Sequence, residues 1–284
     1  MVKNKFLAVL ELCRISNLPT VISNCFAGIL VAEGISESTL IPILIGASLV
    51  YSGGMVMNDA VDFRYDKKFK KSRPIVSSKI SLFSSWQLAV LFLVSGAVFL
   101  VIGSTSYFWV ALLIISIIFY NLFHKKFGIT IYVMGFCRSL LYFIAGYTLP
   151  LSSSIILWGL ALGLYTAGIT LVARGEDKDQ KVKMIGIILL TTPVFLSIYF
   201  SLSKLNLISP IILSSLALIV LILYSLRIIN SEKPGKIGKA VSLLIAGMCV
   251  VDSMAVSSVL GYEGLFFIFG VPIVLIFQRK IAGT

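Results

Sequence analysis

Apolar residues fill this chain in long blocks separated by short polar stretches. Ten blocks approach the ~20 residues that a helix needs to cross a bilayer. They run over about 15–32, 40–58, 85–103, 107–123, 129–149, 154–173, 184–202, 207–228, 238–259 and 263–278. The pattern predicts an all-α chain, a polytopic transmembrane helical bundle around a central cavity. The first block is polar for a membrane helix, with Asn17, Pro19, Thr20, Ser23 and Asn24. Such residues face a bundle interior or a wet cavity. The ninth block carries several Gly and Ser and the acid Asp252, and the tenth is short. Nine spans, with an in-plane, re-entrant or half-spanning piece near the C-terminus, therefore stand beside ten. No low-complexity tract or long linker interrupts the blocks, so 1–284 reads as a single transmembrane domain.

The polar stretches alternate in character. Residues 33–39, 103–106, 150–154 and 260–263 hold no Lys or Arg. The other set is basic: Lys3, Lys5 and Arg14, then Arg64 through Lys79, Lys125 and Lys126, Arg174 through Lys183, Arg227 through Lys239, and Arg279 with Lys280. Of the 24 Lys and Arg, only Lys204 and Arg138 fall elsewhere. The positive-inside rule then places the N-terminus and the stretches around 58–84 and 174–183 in the cytoplasm. The net charge of +12 is thereby assigned to topology and to contact with anionic membrane lipid, and nucleic acid is not an expected partner. Composition agrees: 58% of residues are hydrophobic and 13% charged, with a mean hydropathy of +1.02, against about 25% charged in a soluble domain. Cys13, Cys25, Cys137 and Cys249 lie singly, in no CxxC, and read as small apolar packing residues. Glu11 and Arg14 interrupt the first apolar run, so a cleaved signal peptide is not expected.

The chemistry concentrates where the second block ends, in Asn58-Asp59-Ala-Val-Asp62-Phe-Arg-Tyr-Asp66. On a helix, spacings of three and four put Asp59, Asp62 and Asp66 on one face, with Asn58 on the same side as Asp62. Stacked carboxylates repel unless a cation lies between them. Hard oxygen ligands with positions left open to phosphate are how proteins hold Mg²⁺. The plain alternative is a solvated acidic helix end neutralised by the lysines that follow. A second acidic run, Arg174-Gly-Glu176-Asp177-Lys-Asp179, follows the sixth block as the first follows the second. Glu176 and Asp179 would share a helical face, although Gly175 weakens a helix there. Two acidic clusters on one side of a charge-poor protein suggest two half-sites for a Mg²⁺-bridged diphosphate. Lys67, Arg73 and Arg174 are the candidates for the remaining phosphate charge. The loops 58–84 and 174–183 together are expected to cap the active site.

Two ionisable residues fall inside apolar blocks, Arg138 in the fifth and Asp252 in the ninth. A charge at the bilayer centre costs about 2.5–3.5 kcal/mol on insertion scales, so each is expected to face protein or water. Arg138 reads either as a structural residue, paired with Asp252 or bonded to carbonyls, or as a catalytic residue near an acceptor or deep in the phosphate pocket. Tyr142, one turn on, shares its face. His124, beside Lys125, reads as an interfacial residue rather than a base.

The phrase Asn-Asp-x-x-Asp-x-x-x-Asp, followed by Ser72-Arg73-Pro74-Ile75 and Ser77-Ser78-Lys79-Ile80-Ser81, resembles the UbiA superfamily of intramembrane prenyltransferases. Arg14-Ile-Ser-Asn17-Leu-Pro19-Thr20 is similar to that family's first helix. Further phrases, such as Tyr120-Asn121-Leu-Phe-His124-Lys125 and Met134-Gly-Phe-Cys137-Arg138, resemble its EboC-type branch. The resemblance implies a helical bundle in which two acidic motifs hold Mg²⁺ and the diphosphate of a polyprenyl donor, with the isoprenoid tail in an apolar cavity. A lipophilic acceptor, for which an aromatic one is expected, then captures the allylic group. Carried over by position, Asn58, Asp59, Asp62 and Asp66 would hold metal and diphosphate, with Asp62 and Asp66 catalytic. Arg73 would bind phosphate and Asn17 would line the cavity. The second motif departs from the family's spacing, and Glu176 and Asp179 are its expected metal ligands. The setting implied is a bacterial cytoplasmic membrane. The competing reading is a membrane transporter or a lipid-binding UbiA-like protein without standard catalysis, in which Arg138 and Asp252 would form a coupling pair.

Overall fold

The first apolar block is entered through a break. Helix α1 (Val2–Leu12) stops at Cys13–Arg14, a 3-10 turn follows at Ile15–Asn17, and α2 (Leu18–Val31) continues. Arg14 adopts the left-handed conformation, φ 47°, and the two apolar pieces bend by 48°. Pro19 in the first turn of α2 fits a helix start, where its missing N–H costs nothing. The structure, a computed structural model, describes residues 2–32, 37–104, 107–146, 151–174, 184–232 and 234–281. The further helices are α3 (Glu37–Val61), α4 (Phe63–Phe69), α5 (Leu82–Ser104), α6 (Tyr107–Phe123), α7 (Thr130–Ala145) and α8 (Ser153–Arg174). Then come α9 (Met184–Ser203), α10 (Ile208–Ile229), α11 (Lys236–Ala246), α12 (Met248–Leu260) and α13 (Gly270–Lys280), with a 3-10 stretch at Gly261–Phe269 before α13. Among the described residues there is no strand, so the fold is all-α as the apolar blocks predict.

Six stretches are long and apolar enough to cross a membrane, and the bent α1–α2 pair makes a seventh. Two shorter apolar helices, Tyr107–Phe123 and Thr130–Ala145, bring the described total to nine. The last of the six, Lys236–Lys280, has 45 residues, which would be about 68 Å of straight helix, far more than one bilayer crossing. It doubles back instead: α12 packs on the 3-10 stretch and α11 on α13. The break at Gly247 between α11 and α12, and Gly261 at φ 76° after α12, divide what the sequence shows as two weak blocks.

Helix contacts run in a closed order, from α2 to α3, α5, α6, α7, α8, α9 and α10, through α11 and α13 back to the first turn and α2. Helix α12 sits inside this ring, touching α2, α8, α9, α10 and α13, with every residue from Met248 to Ser258 buried. Outer faces are apolar and exposed, as with Val90, Leu91, Val94 and Val98 on α5 and Leu216, Val220 and Leu223 on α10, which suits contact with lipid. The α7–α8 pair is held close by Gly135 and Gly163, since a Cβ on Gly135 would collide with the Gly163 carbonyl.

Candidate active site

One end of the bundle gathers the C-terminal ends of α3, α6 and α8, the N-terminal end of α7, and the loop after α4. Helix α3 ends at Val61 and α4 starts at Phe63, so the acidic phrase is not one straight helix. The backbone bonds nevertheless carry through, from Asp62 N–H to the Asn58 carbonyl at 2.9 Å and from Asp66 N–H to the Asp62 carbonyl at 2.9 Å. Asp59, Asp62 and Asp66 consequently stay on the inward side, with 6%, 8% and 2% exposure.

Each carboxylate has a basic partner. Arg73 donates to Asp59 and lies 3.1 Å from Asp66 Oδ2. Arg14 Nη2 is 3.6 Å from the same Asp59 oxygen. Asp62 is held from another direction, with Lys125 Nζ 2.8 Å from Oδ1 and His124 Nε2 3.3 Å from Oδ2. Lys125 also lies over the Tyr65 ring, 3.6 Å from its centroid. Asn58 Nδ2 donates to Asn121 Oδ1 at 2.9 Å, and Asn121 Nδ2 donates to the Gly54 carbonyl at 3.2 Å. Burial alone would push the Asp62 carboxyl up, but the hydrogen bonds and charge of His124 and Lys125 outweigh it and hold its pKa below the ordinary value. Asp66 goes the other way: burial, aided by Asp62 and Asp59, raises its pKa against the opposing pull of Arg73.

A cavity of about 220 Å³ opens beside this cluster, lined by Arg14, Lys70, Arg73 and Arg138, with Tyr51 and Tyr120 between them. Asn17, Met55 and Met134 also line it. A smaller apolar pocket of about 50 Å³ shares Tyr51, Met55, Tyr120, Met134 and Arg138 with it and continues between α3, α6 and α7 to Leu113, Ile117 and Leu141. Four cations and no carboxylate line the wider space among the described residues, and mostly apolar side chains, with Arg138 and Asn121, line the narrower one. That combination suits an amphiphile with a polyanionic head.

The sequence expectations fall unevenly on this geometry. Asn58, Asp59, Asp62, Asp66 and Arg73 come together, Asn17 lines the wider cavity and accepts from Gln278 Nε2 at 2.9 Å, and Arg138 lines both cavities. Lys67 is not brought in: it follows Asp66 on α4, a third of a turn around, and is exposed. Arg174 does not line the cavities either. It donates to the carbonyls of Gly128 at 3.1 Å and His124 at 3.0 Å and to Thr130 Oγ1 at 2.7 Å, tying the α6–α7 turn to the end of α8. Glu176 and Asp179, with the rest of 175–183, lie outside the described residues. Arg138 and Asp252 are not a direct pair, because Asn24 stands between them: Arg138 Nη1 donates to Asn24 Oδ1 at 2.8 Å, and Asn24 Nδ2 donates to Asp252 at 2.8 and 3.0 Å. His124, read as an interfacial residue rather than a base, has Asp62 as its partner. Sequence reasoning missed the site positions of Arg14, Lys70, Tyr51, Tyr120 and Lys125. Arg14 carries a signal, a charge that with Glu11 interrupts an apolar run, but its place among the basic stretches reads equally as topology.

The donor set bears on a divalent ion. Asn58 and the three aspartates offer only hard oxygens, and buried Asp66 Oδ2 accepts no hydrogen bond in spite of its ion contact with Arg73. Among the described residues, no three carboxylate, histidine or cysteine side chains are gathered as they would be around a bound ion; Arg73, Arg14, His124 and Lys125 take up the carboxylate charge. The residues therefore fit Mg²⁺ in donor chemistry, with the protein's own cations as its competitors.

The fold and site define an integral-membrane helical protein with a charged pocket at one end of an apolar cavity. This chain belongs to the UbiA prenyltransferase family, whose model matches residues 21–246. The match is to the family as a whole and selects no branch within it. A curated relative, digeranylgeranylglyceryl phosphate synthase of Sulfurisphaera tokodaii, is 31% identical over 118 residues, 40% of this chain and 41% of that protein; the match thus spans less than half of the relative's length. Among solved structures, one described as giving structural and mechanistic insight into digeranylgeranylglyceryl phosphate synthase in membranes superposes with a TM-score of 0.61 at 21% identity, covering 89% of this chain and 97% of that one. A UbiA homologue from Archaeoglobus fulgidus, solved with geranyl diphosphate and Mg²⁺, gives 0.58 at 15% identity over 92% of this chain and 99% of that one. At these identities the structural likeness speaks for the fold.

Proposed function

We propose that this protein is an intramembrane prenyltransferase that moves a prenyl group from its diphosphate to a lipophilic acceptor. The observation that carries the proposal is the adjacency of the two cavities: a cation-lined one beside Asp59, Asp62 and Asp66 shares Arg138, Tyr51 and Tyr120 as wall with a mostly apolar one. Family membership and the relatives' described ligands support the same reading. The acid end lies with the basic loops, on the cytoplasmic side by the positive-inside rule.

The reaction breaks the prenyl C1–O bond, and the diphosphate leaves with the electron pair. The acceptor's nucleophilic atom bonds to C1 and gives up its proton. Arg14, Lys70 and Arg73 are placed to hold the diphosphate charge. Mg²⁺, held by Asn58, Asp59, Asp62 and Asp66 and by Glu176 and Asp179 beyond the described residues, would stabilise the leaving group's charge. Tyr51 and Tyr120, which line both cavities, supply aromatic rings beside the path of the positive allylic carbon, and the apolar walls keep water from it. The family resemblance alone suggests an aromatic acceptor; the curated relative is named for a glyceryl phosphate lipid.

The test is binding of labelled geranyl diphosphate, and of longer prenyl diphosphates, to purified protein with Mg²⁺ or with EDTA. Asp62→Ala and Asp66→Ala should each weaken Mg²⁺-dependent binding by at least about tenfold, since a hydrogen bond or ion contact to a charged group is worth about 1.5–3 kcal/mol. Binding that survives EDTA and both substitutions would contradict the proposed site.

A further inference from the structure

Arg138 lies deeper than the acidic cluster. From Thr130, at the acid end of α7, it is eight residues along, about 12 Å of helix rise. On α3, Tyr51 lies eight residues before Asp59, again about 12 Å, and the Arg138 guanidinium carbon sits 5.3 Å from the Tyr51 ring centroid. Arg138 is 6% exposed and lines both cavities at their junction. Among the described residues it makes no ion pair. Its side-chain bonds go to neutral oxygens, Asn24 Oδ1 at 2.8 Å and Thr20 Oγ1 at 3.3 Å, and a guanidinium has five donors.

What aims it is further back. Asp252 is fully buried and lines neither cavity. Its carboxylate accepts from Ser23, from Asn24 Nδ2 and from Tyr142 at 2.6 Å. With the Asn24 amide nitrogen committed to Asp252, the amide oxygen has to face Arg138. That fixes one side of the guanidinium and leaves the rest toward the cavity.

We infer that Arg138 binds the head group of the acceptor, that this head is an anionic oxygen group on a lipid, phosphate or carboxylate, and that Asp252 is a positioning residue acting through Asn24. Calling the ligand an acceptor rests on the transferase reading; the anion preference does not. The diphosphate charge is met at the acid end by Arg14, Lys70 and Arg73. A buried cation, making no ion pair among the described residues and carried about 12 Å of helix rise beyond Thr130, stands at the inner side of the same cavity, beside the apolar pocket, and is left for a second anion.

The test uses two matched probe pairs with the full-length protein in detergent: oleoyl lysophosphatidic acid against monoolein, and oleate against oleyl alcohol. In at least one pair, the anionic member should bind wild-type protein at least tenfold tighter than its neutral partner, and saturating geranyl diphosphate with Mg²⁺ should leave that preference intact. Arg138→Gln should erase the preference, Arg138→Lys should restore part of it, and Asp252→Asn should reduce it severalfold, with any fall in geranyl diphosphate affinity smaller than the fall that Arg73→Ala causes. A purely structural network would lower thermal stability and donor affinity together and leave the preference unchanged, which would overturn the inference. So would equal binding in both pairs, competition by geranyl diphosphate, or inorganic phosphate binding as tightly as the anionic lipid. Failure of wild-type protein to bind geranyl diphosphate would overturn the transferase reading alone, because the anion preference is read without it.

Discussion

Arg73 and Arg14 join the two halves of the pocket, each lining the cavity while contacting Asp59. Phosphate and carboxylate therefore compete for the same guanidinium groups, and either ligand must be matched by a rearranged partner. Arg14→Ala should weaken geranyl diphosphate binding about tenfold, the low end of what a charge-assisted contact is worth, as measured by equilibrium binding; unchanged affinity would remove Arg14 from the site. Asp66 carries a second consequence. Its pKa is raised in the folded, metal-free protein, so its protonated form is the one favoured by burial, and its contribution to stability is present at low pH and lost as pH rises through the raised value. Mg²⁺ needs the ionised form. As the solution is acidified, apparent Mg²⁺ affinity should therefore begin to fall at a higher pH than an unperturbed aspartate would give, and Asp66→Asn should flatten that part of the profile. Mg²⁺ titration by thermal shift across pH reads this directly. The spacing of Asp59, Asp62 and Asp66 was legible in the sequence because a single helical period places them. Their partners were not, since Asp62 meets His124 and Lys125 only through packing of α3 against α6.

At the level of elements, turns and breaks position the site. The α3–α4 step at Asp62, the left-handed Arg14 between α1 and the first turn, and the short α6–α7 connection each bring a charged side chain inward. Arg174 holds the last of these by bonding two carbonyls and Thr130. Arg174→Ala should lower thermal stability by about 1–3 kcal/mol, the cost of leaving polar partners unpaired. It should weaken donor binding only indirectly, through His124 and Asp62, and by less than Asp62→Ala does. Loss of donor affinity without loss of stability would instead assign Arg174 a direct phosphate role. Long apolar helices such as α8 and α10 were read within a residue or two, because length and hydropathy suffice for them. The break at Gly247 was not read, since a helix that is buried all round has no polar face to show where it divides. Nor was the route from Arg138 to Asp252 through Asn24, because an Asn in a polar first block names no partner.

For the whole molecule, the ring of helices around α12 keeps a polar network dry while one end of the bundle opens to charged ligands. The all-helical membrane class followed from composition and apolar block length, and the gathering of Asp59, Asp66 and Arg73 at one end was signalled by the acidic phrase and the Arg-Pro that follows it. The central claim is prenyl transfer. Its most direct measurement supplies isotope-labelled prenyl diphosphate and Mg²⁺ to protein in liposomes made with a total membrane lipid extract, with prenylated lipid read by mass spectrometry and diphosphate release followed in parallel. The account predicts a labelled lipid product formed in step with diphosphate and abolished by EDTA and by Asp62→Ala. Labelled donor recovered intact, or released only as the free alcohol at the same rate in wild-type protein and Asp62→Ala, would contradict it.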